Sequence, residues 1–197
     1  MGLKTDVIAS EKNICLSCGF CCDGTIYSYV SLQETDNPVE LRNSGLPIKT
    51  SERDVSKSQE KESGFDQPCA AHQSCACTIY QSRPAICKEY KCALLKAYEA
   101  QEASTEAALK LIGNCTRLRD KLRSTLETHL SVDAGLPLLR LFQLMAKKLA
   151  ATKPHQQEPD MVEIQLDMAT LRILIARRFD PMGDQLAKHN RGAANSQ

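Results

Sequence analysis

Cys15-Leu16-Ser17-Cys18-Gly19-Phe20-Cys21-Cys22 puts four thiols into eight residues, and the rest of the chain is understood from it. Thiolates bind soft and borderline metals, and two-residue spacers let consecutive cysteines converge on one centre. Gly19 suits a turn whose amides point toward the sulfurs. Adjacent side chains diverge in most backbone conformations, so Cys21 and Cys22 are expected to part. One would complete the near site and the other would reach a second metal or the more distant cysteines. Those are Cys69, Cys75, Cys77, Cys87 and Cys92. Pro84 is placed to open a helix, with Cys87 in its first turns, where the helix dipole favours an anionic sulfur. Cys87 and Cys92 are five residues apart. On a regular helix they face different directions, so either the helix is interrupted or they serve different metals.

Nine of the ten cysteines in this 197-residue chain lie between Cys15 and Cys92, and only Cys115 follows. Lys+Arg 25 against Asp+Glu 24 leave a formal charge of +1, no global electrostatic case for nucleic acid or an anionic membrane. Aromatics are scarce (Phe 4, Tyr 5, Trp 0), which weakens any stacking platform for single strands. Met1–Cys15 lacks the apolar run of a secretory signal. Met1-Gly2 is followed by Asp6 where a myristoylation site wants Ser or Thr. No apolar stretch approaches the roughly 20 residues of a membrane span. A cytoplasmic chain is expected, and in a reducing cytosol clustered cysteines read as metal ligands or redox centres rather than disulfides.

Around the cysteines the elements are sparse. Thr25–Val30 is β-branched and aromatic, a short strand. Ser31–Glu34 has capping-box spacing for a short helix, which Pro38 limits. Residues 49–67 are polar, with only Val55 and Phe65 to bury, and are expected to be a flexible insert. Beyond Cys92 the pattern turns helical. Residues 104–130 carry Ala108, Leu111, Cys115, Leu118, Leu122 and Leu126 at three- and four-residue spacing. Residues 137–150 repeat this with Leu138, Leu141, Phe142, Met145 and Leu149, and Pro137 suits the first turn. A last helix near 160–179 aligns Ile164, Met168, Leu171 and Ile175. The fold expected is α+β, mainly α: a small, irregular, metal-stabilised cysteine lobe over residues 1–98, packed on a helical bundle over 99–182. A disordered tail over 183–197 completes it.

The run from Cys77 to Cys92, CTIYQSRPAICKEYKC, following the CxxCxxCC cluster, resembles the bacterial family of zinc- or iron-chelating domains. These are the YkgJ-type cysteine cluster proteins, often labelled Fe–S oxidoreductases. The resemblance covers residues 13–92 around the insert. It implies ligands at Cys15, Cys18, Cys21, Cys22, Cys77, Cys87 and Cys92, with Cys69 as the eighth. Lys88 stands where the family commonly has arginine, and Ala70-Ala71-His72 where it has a bulky apolar pair. The second departure leaves Cys69 and Cys75 both open as ligand. Cys75, in an extended segment, would point the same way as Cys77.

Eight thiolates suit two four-cysteine zinc sites, or an Fe–S cluster such as [4Fe-4S] with or without zinc. Zinc would make the lobe a structural device; iron would make it an oxidoreductase or electron carrier. The cysteine cluster is also similar to a domain of flagellin lysine methylases, although this chain has no recognisable methyl-donor pocket. Besides the metal ion, a protein partner docking on the helical region is expected. Cys115 reads as a core thiol. His72 is a candidate ligand or an exposed side chain, and His129, His155 and His189 read as surface residues. Arg83 reads either as a donor to a sulfur or a substrate carboxylate, or as a salt-bridging residue that orders its loop. Tyr80 and Tyr90 read as lobe packing. Arg117, Arg119, Lys121 and Arg123, beside Asp120 and Glu127, read as a solvated helix face. No glycine-rich phosphate loop, nucleophile elbow or HExxH pattern is present.

Overall fold

The computed structural model describes residues 14–51, 62–152 and 159–180. The tail from Gly183, His155 and His189 lie outside these residues. The chain is α+β and mainly helical, as expected.

Helix α4, Thr105–Leu130, carries the architecture. Ser104 caps its N-terminus by accepting from the Ala107 amide at 3.1 Å. Ser131, in the left-handed region at φ 51°, ends it by donating to the Glu127 and Thr128 carbonyls. The buried stripe is Ala108, Ile112, Cys115, Leu122 and Leu126, with Leu111 and Leu118 half-buried at its edge. Helix α5, Leu138–Ala151, follows Pro137 and buries Leu138, Leu141, Phe142 and Met145. Helix α6, Pro159–Arg178, buries Met161, Ile164, Met168 and Leu171. Both α5 and α6 pack on α4. Among the described residues no helix is long and apolar enough to cross a membrane.

The lobe differs from its expected outline in three places. Asn37, not Ser31, starts the first helix, α1, Pro38–Asn43: its Oδ1 accepts from the Val39 and Glu40 amides, and Pro38 opens the first turn instead of limiting it. The strand predicted from Thr25 begins only at Tyr29 (β1, Tyr29–Ser31). The insert expected to be flexible over 49–67 ends in strands: β2, Lys49–Ser51, and β3, Glu62–Asp66. These form an antiparallel sheet in the order β1-β3-β2, with Val30 opposite Phe65 and Lys49 opposite Gly64. Such short strands are joined by backbone bonds and show no alternation in sequence. Gly64 is obligatory, since a Cβ there would come within 2.3 Å of the Tyr29 hydroxyl and the Val30 carbonyl. A hairpin follows, β4 (His72–Gln73) against β5 (Ala76–Cys77). Two short helices, α2 (Ala85–Glu89) and α3 (Ala93–Glu99), lead into α4.

Two hydrophobic clusters result. Leu41, Leu46, Ile48, Phe65 and Ala71 form the lobe's own. The larger one unites the helices with Ile14 and Phe20 of the first cysteine segment.

Candidate metal centre

Ile14–Ser17 forms a 3-10 turn. The amides of Cys18 and Gly19 donate to the Cys15 carbonyl, and those of Cys22 and Asp23 donate to the Gly19 carbonyl. Gly19 adopts φ +69°, and a Cβ there would lie 2.7 Å from His72 Nε2. These turns draw the vicinal pair together: the Cys21 and Cys22 sulfurs are 3.6 Å apart, not diverging as expected. In a helix-like turn adjacent side chains are separated by about 100°, not the opposite-face geometry of a strand, and that is the physical reason for the correction. Either sulfur can donate in this contact, which lowers the Cys21 pKa and raises that of Cys22.

The second segment joins the first through the backbone, the Cys69 amide donating to the Cys22 carbonyl at 2.8 Å. Cys77 lies on β5 opposite His72, Cys87 in α2, and Cys92 at the N-cap of α3. Asp36 accepts from the Ala85 amide at 2.8 Å and fixes the start of α2 from a distant loop. Tyr90 ends α2 before α3 begins, so the helix is interrupted between Cys87 and Cys92.

Each sulfur's electrostatic neighbours divide the set. Loss of hydration, then the charges of Cys92 and Cys21, push Cys15 up to about 11. Burial raises Cys18 as well, with Cys21, Cys92 and Cys15 adding to it. Burial, then Cys69, Cys21 and Cys77, push Cys87 up to about 12. Cys22 feels Cys21, Cys69 and Cys87; Cys69 feels Cys77 and Cys21. Cys21 stands between both groups. Amides already point at several sulfurs: Phe20 at Cys18, Ala71 and His72 at Cys69, and Leu95 at Cys92, the last at 3.3 Å. Such bonds favour the thiolate over the thiol.

Among the described residues no three Cys, His, Asp or Glu side chains are grouped closely enough to hold a metal ion. The donor types nevertheless suit a soft or borderline metal: the cysteines lie in two segments joined by the Cys69–Cys22 backbone bond, with amides donating to several of the sulfurs. His72 is half-buried rather than exposed, and its Nε2 is buried without a hydrogen-bond partner. Cys75 is not extended but sits at φ 63° in the tight turn after Ser74, with its sulfur against Gly19. Cys115 is fully buried in the helical core, as expected.

Arg83 orders its loop through Tyr80, with no salt bridge among the described residues: Nε donates to the Tyr80 carbonyl at 2.9 Å and the guanidinium lies 3.7 Å above the Tyr80 ring. Its charge lowers the pKa of Cys15, Cys21 and Cys87. Tyr80 is half-exposed under this cation and is not lobe packing. Tyr90 does pack, edge-on to Tyr27 at 5.4 Å, and its hydroxyl donates to the Phe179 carbonyl at 3.1 Å. Arg119 departs from the solvated face expected of it. Its guanidinium pairs with Asp23, the residue after the vicinal cysteines, and both side chains are only 16–17% exposed. His129 pairs with Asp160 at 2.9 Å. Neither the Asp23–Arg119 pair nor the bond from the Ala85 amide to Asp36 had a sequence signal, because each forms only across the fold.

Two shallow depressions of about 400 and 460 Å³ lie beside α3 and α4 and beside β1 and α5, and neither is lined by a cysteine. No curated protein and no solved structure matches the chain. The family model described as "CxxCxxCC: Putative zinc- or iron-chelating domain" matches residues 14–116, from the first cysteine turn into the middle of α4. That span exceeds half of the chain and contains all ten cysteines, so the protein belongs to this CxxCxxCC zinc- or iron-chelating family.

Proposed function

We propose that the lobe is a two-centre metal–thiolate module. Cys15, Cys18, Cys21 and Cys92 hold one ion; Cys22, Cys69, Cys77 and Cys87 hold the other. The observation that carries this reading is the Cys21–Cys22 pair, 3.6 Å between sulfurs, at the point where Cys69 bonds to the Cys22 backbone. Sulfurs this close on adjacent residues would set the two ions side by side, Cys21 facing one and Cys22 the other. The division of electrostatic neighbours into the same two groups supports it. Zinc or iron supplies Lewis-acidic binding of the deprotonated sulfurs, and the residues supply shape: Arg83 offsets their negative charge and the amides orient them. A reducing compartment such as the cytoplasm keeps these thiols available.

Elemental analysis with visible spectroscopy of the anaerobically purified full chain tests the reading. Two metal equivalents are expected, with one lost in Cys18→Ser and the other in Cys87→Ser. A colourless zinc protein excludes the Fe–S oxidoreductase. A brown protein with inorganic sulfide replaces the two-ion reading with a cluster. Full metal content in both variants overturns the ligand assignment.

A further inference from the structure

Helix α6 has a second apolar stripe that the core does not use. Val162, Leu166, Ala169, Ile173 and Ala176 follow one another at spacings of four, three, four and three, the seam of a two-stranded coiled coil. All five are exposed, the large ones at 56% (Val162), 64% (Leu166) and 52% (Ile173). The opposite stripe, Met161, Ile164, Met168 and Leu171, is the one buried on the bundle. A helix with a single job would be polar on its outer face.

Charge says what fits there. The first half of α6 is acidic, with Asp160, Glu163 and Asp167, and the second half is basic, with Arg172, Arg177 and Arg178. Glu163 and Arg177 flank the seam on the same side. Leu166 and Ile173 alternate with Ala169 and Ala176, so bulky side chains of one such helix find small residues on another. An antiparallel copy of α6 sets acidic end against basic end, Glu163 of each copy toward Arg177 of the other. A parallel copy sets Arg172 beside Arg177 twice, a like-charge contact. Lys121 on α4 holds both Glu163 and Asp167, and Asp167 retains it if Glu163 turns to a neighbour.

We propose that α6 is the interface of a two-fold symmetric homodimer in which the Val162–Ala176 seams of two chains pack antiparallel. The interface is isologous, so it closes and builds no filament. It does not depend on the metal reading above.

Sedimentation velocity or light scattering of the full, metal-loaded chain over a wide concentration range tests it. Reversible monomer–dimer behaviour is expected. Leu166→Glu with Ile173→Glu should weaken association about a hundredfold or more, with helical circular dichroism unchanged, because both copies lose both contacts. Glu163→Arg or Arg177→Glu alone should weaken it by about threefold to tenfold, and the two together should restore it. Strengthening by Arg177→Glu alone indicates parallel packing and overturns the proposal. So does a monomer at every concentration, whether the stripe is bare or covered by the chain's own residues 181–197. A dimer indifferent to Leu166→Glu/Ile173→Glu overturns it as well.

Discussion

The helical part and the cysteine lobe are stabilised by different means. Around α4, seventeen buried residues form a continuous apolar cluster that includes Leu122, Leu126, Leu141 and Met145, all with almost no exposure. Among the described residues the lobe's own cluster is five, of which Phe65 is the largest. A buried large apolar side chain contributes about 1.5–3 kcal/mol, whereas ordering each residue costs about 1–2 kcal/mol of backbone entropy. A lobe with so few buried side chains per ordered residue gains from a further source of stability, which a metal on the proposed cysteine ligands would supply. The first cysteine segment occupies both worlds: its sulfurs belong to the lobe, while Ile14 and Phe20 belong to the helical core.

The largest expected effect is metal removal. Chelation should cost the lobe most of its hydrogen-exchange protection while α4, α5 and α6 stay helical by circular dichroism, because structural zinc alone contributes on the order of 10 kcal/mol. Equal protection in both parts before and after chelation would erase the contrast. Next comes the joint between the regions. Phe179 packs edge-on to Phe20 at 5.2 Å, and Phe179→Ala should destabilise the chain by about 3–5 kcal/mol in urea unfolding, with loosening of the first cysteine turn. Arg119→Ala leaves Asp23 half-desolvated beside Cys22; a loss of about 1–3 kcal/mol is expected, and a double-mutant cycle with Asp23→Asn should return most of it as coupling. At the small end, Cys115→Ala should cost about 1 kcal/mol and leave metal content unchanged, which separates the one core thiol from the eight proposed ligands. Ser104→Ala, which removes the cap of α4, should also cost about 1 kcal/mol and leave the lobe untouched.

Legibility in the sequence followed the same divide. Helices α4, α5 and α6 were readable to within a residue or two, because a 3.6-residue apolar period is imposed by local geometry wherever a helix lies on a core. Strands β2 and β3 were not, because three- and five-residue strands joined mainly by backbone bonds leave no alternation to read. The close approach of Cys21 and Cys22 was hidden for another reason: it depends on whether the backbone turns or extends there, and Gly19 permits either. The burial of Arg119 was hidden because it comes from Asp23 and Phe20, distant in the chain.

The sequence by itself determined the helical half, the cysteine inventory and the capacity for metal–thiolate chemistry, since each depends on residue type and near-neighbour spacing. Only the tertiary structure decided that the Cys21 and Cys22 sulfurs lie side by side, that Asp23 and Arg119 lock the lobe to α4, and that one apolar stripe of α6 is buried while the other is exposed. Spacing lays both stripes along the helix with equal right to the core. Contact with α4 chooses between them, and contact is set by packing across the whole chain.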